Sequence, residues 1–262
     1  MKQIKYDDLF SIIKNKRVAI VGPADYVNKE LTDKHGDYID SFDIVIRLNG
    51  MIKYPEENTD ISFEKYYGKK FNILASSFWN KIDGGAQFHY SKNPARYLDI
   101  NMYKDISHDL ILFESFNRTL FANIYNKNKS FFDKKNNFSY CNVPTEKLAK
   151  NYLNKLYPNY SPPTTGIITI GHILTMKPKE LYVTGVTCFQ DKKHNGFYDW
   201  YENVSPETAI KTYNDPRFMF DGKKLRNNAS HSQNNEAKQL QILIKNGIIK
   251  VDKYLELLFN NI

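Results

Sequence analysis

Arg17-Val-Ala-Ile-Val-Gly22 and Asp43-Ile-Val-Ile-Arg-Leu-Asn49 are two short, nearly uninterrupted apolar runs, the first closed by a glycine and the second by Arg-Leu-Asn. They are too short for helices and lack the in–out alternation of a half-exposed strand. Runs of this kind mark strands buried on both faces, as in a parallel sheet. Lys70–Ala75, followed by Ser76, repeats the pattern, as do Asp109–Phe113 and Leu181–Thr184, the last closed by Gly185. Helical patterns lie between them. Tyr6–Asn15 is amphipathic, Gly166–Met176 is apolar, and a helix from about Ser232 to Lys245 leads into a strand at Gly247–Val251 and a short helix through Leu258. The β-branched run Ile167–Ile170 also fits a strand, but Pro162-Pro163-Thr164 before it and Lys177-Pro178 after it favour helix.

Strands alternating with helices predict an α/β fold: a single, mostly parallel Rossmann-like sheet with helices on both faces. The whole chain, 1–262, reads as one domain, with irregular insertions near 83–107 and 123–142. Ligands of such sheets bind at the carboxyl ends of the strands, which gathers Gly22, Arg47 to Asn49, Ser76 and Gly185 on one rim.

The net charge is +8, yet the lysine pairs are spread along the chain: Lys14 and Lys16, Lys69 and Lys70, Lys134 and Lys135, Lys192 and Lys193, Lys223 and Lys224. No basic helix or aromatic motif organises them, so a solvated surface is expected rather than a nucleic-acid groove. Two cysteines, Cys141 and Cys188, exclude a disulfide scaffold and a cysteine zinc site, and favour a reducing compartment. Asp7 and Asp8 fall where a secretory signal needs an apolar core, and no apolar run has the length of a membrane span. The expectation is a cytoplasmic protein, at most peripheral to a membrane.

Several groups are suited to chemistry. Gly22 permits close backbone approach, with Pro23 and Ala24 continuing the turn. Asn49 offers donors and acceptors for a base or ribose. Arg47 has two readings: a ligand contact, or a structural ion pair with Asp40 or Asp43. Ser161-Pro-Pro-Thr-Thr-Gly166 opens an apolar helix, so Thr164, Thr165 and Gly166 read as an anion site, as plain capping residues, or as both. Ser230 and Gln233 match a capping box that would put His231 in the first turn of the last long helix, where the helix dipole favours a neutral imidazole. A lone surface histidine is the bland alternative. Five residues apart on a helix, His231 and Glu236 do not share a face, so they are not read as base and orienter. His194, in the aromatic loop Lys193–Glu202, is a phosphate-ligand candidate or only a loop histidine. There is no Asp-x-Asp, no His-x-x-x-His and no P-loop lysine, which argues against a metal-dependent or P-loop nucleotide enzyme.

In order, these pieces resemble the sialylmotifs of the sialyltransferases of glycosyltransferase family 29. Val21-Gly22, Gly36-Asp-Tyr-Ile-Asp-Ser-Phe-Asp43 and Ile46-Arg-Leu-Asn49 resemble the large motif. Pro163-Thr-Thr-Gly166 through Leu174 and Glu180-Leu-Tyr-Val-Thr-Gly185 resemble the small motif. His231 and Glu236 resemble the very small one. The resemblance implies a GT-A-like variant of the fold and an inverting transferase that moves a sialic acid, or a related nonulosonic acid, from its CMP-activated donor to a glycan or glycolipid hydroxyl. It implies no metal or other cofactor and no nucleic-acid partner. His231 takes the role of general base. Asn49, Thr164, Thr165 and Gly166 take nucleotide and donor binding, with Gly22, Pro23, Ala24, Ser76, Gly185 and His194 around them. The family's Asn-Ser after the first glycine is Pro23-Ala24 here, and its third motif, which resembles His-Tyr-[Tyr/Trp]-Glu-Asn, is Asp199-Trp-Tyr-Glu-Asn203. A Kdo-type CMP-sugar transferase, or a non-enzymatic nucleotide- or nucleic-acid-binding protein, are the alternatives.

Overall fold

Burial on both faces is what the apolar runs predict, and every residue of Ile44–Leu48 and Ile73–Ser76 is buried. The computed structural model describes residues 1–24, 26–48, 63–76, 106–114, 125–126, 128–142, 164–188, 190–191 and 233–260. Among these, eight strands form one sheet: β1 (Lys2–Ile4), β2 (Arg17–Val21), β3 (Ile44–Leu48), β4 (Ile73–Ser76), β5 (Leu110–Glu114), β6 (Phe138–Asn142), β7 (Glu180–Thr184) and β8 (Lys250–Val251). Their spatial order is β1-β6-β5-β4-β3-β2-β7-β8, and every pairing is parallel. The fold is α/β and Rossmann-like.

The register puts Val21 opposite Arg47 on one side and Thr184 on the other. From β2 the chain steps through β3, β4 and β5 to β6, then crosses back to β7 on the far side of β2 and continues outward to β8. The connections leaving β2 and β7 therefore run in opposite directions. The crevice between the carboxyl ends of these two strands is the topological switch point.

Right-handed crossovers place the helices that follow β2 and β3 on one face: α2 (Tyr26–Glu30), α3 (His35–Asp40) and α4 (Phe63–Tyr67), which contact one another. The opposite face carries α1 (Tyr6–Ile13), α6 (Thr165–Thr175) and α7 (Gln233–Lys245). There the Tyr6 hydroxyl bonds His172 Nδ1 at 3.2 Å and Thr175 Oγ1 at 3.1 Å. The short α5 (Lys129–Phe132) precedes β6, and α8 (Lys253–Asn260) closes the β8 edge, stacking Tyr254 on Tyr26. The segment 167–170 is helical, as its flanking prolines predict. No described helix is long and apolar enough to cross a membrane.

Two strands escape the sequence reading. Residues 123–142, expected to be an irregular insertion, contain β6, and Lys2–Ile4 forms β1. Both lie at the outer end of the sheet, where β6 buries only Phe138 and Cys141 and β1 is largely exposed, so neither needs an apolar run. The insertion expected at 83–107 lies almost wholly outside the described residues.

At the switch point two glycines meet. The Gly22 amide donates to the Thr184 carbonyl at 2.8 Å, and the Ala24 amide to the Gly185 carbonyl at 3.1 Å. A Cβ on Gly22 would run into the Gly185 carbonyl, and one on Gly185 into the Gly22 carbonyl; Gly185 also has φ of +70°. Gly22→Ala should therefore destabilise the protein by at least about 2 kcal/mol, the range of core overpacking, measured by urea unfolding. A loss under about 0.5 kcal/mol, typical of unstrained surface sites, would show that the two strand ends can part freely.

Candidate functional site

The rim is built from the ends of β2, β3 and β7 with the amino terminus of α6 laid across them. Gly166 is the point of close approach: a Cβ there would lie 3.2 Å from Val186 Cγ1 and 3.4 Å from Leu48 Cδ1. Leu48 is the last residue of β3, and Val186 follows the Gly185 turn, so α6 begins directly over the switch point.

Thr164 takes the N-cap position of α6, with extended backbone (φ −63°, ψ 158°), but its side chain does not cap its own helix. Instead, its amide and hydroxyl donate to the two carboxylate oxygens of Glu236, at 2.9 and 2.8 Å. The capping expected of Thr164 is thus replaced by a bridge between α6 and α7. Thr165 accepts a bond from Thr169 Oγ1 at its carbonyl. The amides of Thr165, Gly166 and Ile167, in the first turn, have no intrahelical acceptor and lie at the positive end of the helix dipole, an arrangement suited to an anion.

Glu236 is fully buried. Burial raises its pKa from an ordinary 4.5 to about 7, against the opposing pull of the two Thr164 donors. Beside it lies Cys188, a residue at φ +50° whose thiol is pushed well upward by burial and by the Glu236 charge. Cys141 is pushed up to about 12 by burial. Neither thiol has the depressed pKa of a nucleophile.

The turn after β2 behaves differently from a phosphate-binding loop. The Gly22 and Ala24 amides are already engaged by β7 and its turn, and Pro23 has no amide hydrogen. The Ala24 carbonyl accepts from the Tyr67 hydroxyl at 3.4 Å. Gly22, Pro23 and Ala24 therefore shape the floor of the crevice without offering it amide donors. Ser76 is buried at the end of β4, two strands from β2, or about 10 Å at ordinary strand spacing.

Arg47 has no place on the rim. It is fully buried and donates to the carbonyls of Tyr67 at 3.2 Å, Gly68 at 2.5 Å and Lys70 at 3.3 Å, with its guanidinium 5.2 Å from the Phe71 ring centroid. Burial lowers its pKa to about 10, with Asp40 and Glu64 pulling the other way, so it stays charged at neutral pH. The structural reading of Arg47 holds, but its described hydrogen bonds run to backbone carbonyls, where an ion pair with Asp40 or Asp43 was expected. Asp40 supports that loop instead, accepting the Lys69 and Lys70 amides at 2.9 Å each, and Asp43 accepts the Arg17 amide at 2.8 Å. Gly36 lets α3 and α4 pack backbone to backbone. Gly36, Ile39, Asp40 and Asp43, the spaced residues of the large-motif resemblance, are thus accounted for by folding.

A network absent from the sequence reading anchors the rim from below. The Gly185 amide donates to Tyr26 Oη at 2.7 Å, and Tyr26 donates to Asp252 Oδ2 at 2.6 Å, an oxygen that also accepts from Thr184 Oγ1 at 2.8 Å. The other oxygen, Oδ1, caps α8 by accepting the Leu255 amide at 2.9 Å. An Asp between a strand and an amphipathic helix is a readable N-cap signal; its second role at β7 depends on the tertiary fold.

Asn49, His194 and His231 lie outside the described residues, as does the segment resembling the third motif. The described part of α7 begins at Gln233, two residues after His231. No protein-family model matches the chain, and no curated protein matches it in sequence.

The Glu236 pKa carries a stability consequence. Because the folded-state value lies above the unfolded one, the folded protein keeps a proton that the unfolded chain releases between pH 4.5 and about 7. Stability therefore falls as pH rises through that window and levels off above it. Glu236→Gln, which can still pair with both Thr164 groups, should flatten that part of the pH–stability curve. Glu236→Ala should instead cost about 1–3 kcal/mol by leaving the Thr164 donors without an acceptor. Thermal melts across pH 4 to 8 test both, as approximate limits of the linkage window; an unchanged slope in Glu236→Gln would assign the titration elsewhere.

Proposed function

We propose that the protein is an inverting, metal-independent glycosyltransferase that moves a nonulosonic acid, sialic acid in the first instance, from its CMP-activated donor to a glycan hydroxyl. The observation that carries this reading is the Thr164–Glu236 bridge. It joins two segments distant in sequence that resemble parts of one donor site. The joint lies over the switch point, where the end of the large-motif segment at Leu48 also arrives.

In this reading the first-turn amides of α6, with the Thr165 hydroxyl, receive the negative charge of the donor, its phosphate or carboxylate. Gly166 keeps the helix low enough over the strands for a nucleotide to lie against the rim. Asn49, the residue after β3, reads the cytidine or its ribose. Gly22 and Gly185 supply a flat floor. Since CMP is a good leaving group, departure needs little acid assistance beyond neutralising the phosphate. The acceptor hydroxyl does need a base, and a neutral His231, two residues before the described part of α7, suits that role at pH 7. A Kdo-type donor would present the same nucleotide and carboxylate, so the assignment is to the CMP-linked acid class.

The test is a thermal-shift comparison of CMP, UDP, GDP and ADP, followed by transfer assays with His231→Ala. CMP alone should raise the melting temperature, because a ligand that binds only the native state stabilises it. The variant should retain that shift while losing transfer by a factor of about 100 or more. Equal stabilisation by all four nucleotides, or normal turnover by the variant, would overturn the reading.

A further inference from the structure

Lysines far apart in the sequence, Lys14 and Lys16 with Lys177 and Lys179, are brought together by the parallel topology. In an all-parallel sheet every strand starts at the same edge, so residues just before β2, β7 and β8 share the edge opposite the rim. Lys14 and Lys16 precede β2; Lys177 and Lys179 precede β7. The two turns are bonded directly, the Asn15 amide to the Lys177 carbonyl at 3.1 Å and the Lys179 amide to the Lys16 carbonyl at 2.9 Å. All four lysines are exposed, and none makes an ion pair among the described residues. Of the carboxylates around them, Glu180 pairs with Arg17 and Lys250 at 3.0 Å each, while exposed Asp43 accepts the Arg17 amide and lies within the electrostatic reach of Lys16 without an ion pair to it.

The same edge carries exposed aliphatic side chains. Ile12, in the last turn of α1, is 39% exposed, and Ile248, two residues before β8, is 43% exposed. Each stands within a few residues of this lysine group or of Lys250.

We propose that this amino-terminal edge of the sheet docks on an anionic lipid bilayer. Lysines near such a surface are attracted individually, and branched aliphatics among them insert at the acyl boundary. Nucleic acid is the weaker fit: these four cations are point charges without the planar fork of arginine that reads bases, and Ile12 and Ile248 offer no ring for base stacking. Docking by this edge leaves Gly22, Gly185 and Thr164 on the side away from the bilayer. The inference stands apart from the catalytic reading, since it uses no residue of the rim.

The experiment is cosedimentation of the full chain with phosphatidylcholine vesicles, with and without phosphatidylserine, at low and high salt. Binding should require phosphatidylserine and weaken with salt. A variant carrying Lys14→Gln, Lys16→Gln, Lys177→Asn and Lys179→Gln should bind several-hundredfold more weakly, at about fivefold per lysine removed. Asn suits position 177, where φ is +56°. Ile12→Ser with Ile248→Ser should weaken binding while leaving its salt dependence in place. An unchanged melting temperature serves as the folding control. Equal binding to neutral vesicles, undiminished binding by the lysine variant, or preferential retention on duplex DNA would overturn the proposal.

Discussion

The backbone contact between Gly22 and Gly185 is the constraint on which the rest of the site depends. Two neighbouring parallel strands end there and send the chain in opposite directions, and their turns approach closely enough that neither admits a Cβ. The Gly22 and Ala24 amides are used up in holding the two turns together. Gly22 to Ala24 therefore offer no amide to an anion, unlike a glycine-rich phosphate loop. The amides of the first turn of α6 lie over them instead, with Gly166 packed against Val186 and Leu48, and in the proposed function they take the polar role.

Around that contact the fold arranges two supporting networks. On one side, Tyr26 and Asp252 hold the Gly185 turn from below and tie it to the cap of α8. On the other, Arg47 gathers carbonyls at and just after the end of α4, while Asp40 holds the amides of the loop that follows. A fully buried guanidinium is tolerated because several carbonyls accept from it and carboxylates lie nearby. Both networks are structural. They show how residues that look like ligand contacts in a linear motif can instead secure the ends of the strands.

The fold was legible where burial imposes a simple pattern. Strands covered on both faces must be apolar throughout, which marked β2, β3, β4, β5 and β7, and flanking prolines marked α6 as a helix despite its β-branched start. Outer strands β1 and β6 carry no such demand and left no apolar run. Gly22, Gly166 and Gly185 were found at the rim because a glycine at a strand end or helix start is visible in sequence. Tyr26, Asp252 and the partnership of Thr164 with Glu236 were not, since each joins residues far apart in the chain through a contact that only the folded topology creates. The basic edge escaped for the same reason: lysines before β2 and β7, strands far apart in the chain, look diffuse until parallel pairing sets them side by side.

The most direct test of this account is a crystal structure of the protein with CMP. The account predicts the phosphate within hydrogen-bonding distance of the Thr165, Gly166 and Ile167 amides, with the nucleoside over the carboxyl ends of β2 and β3. CMP bound away from the amino terminus of α6, or a phosphate held by the Gly22–Ala24 turn, would contradict it.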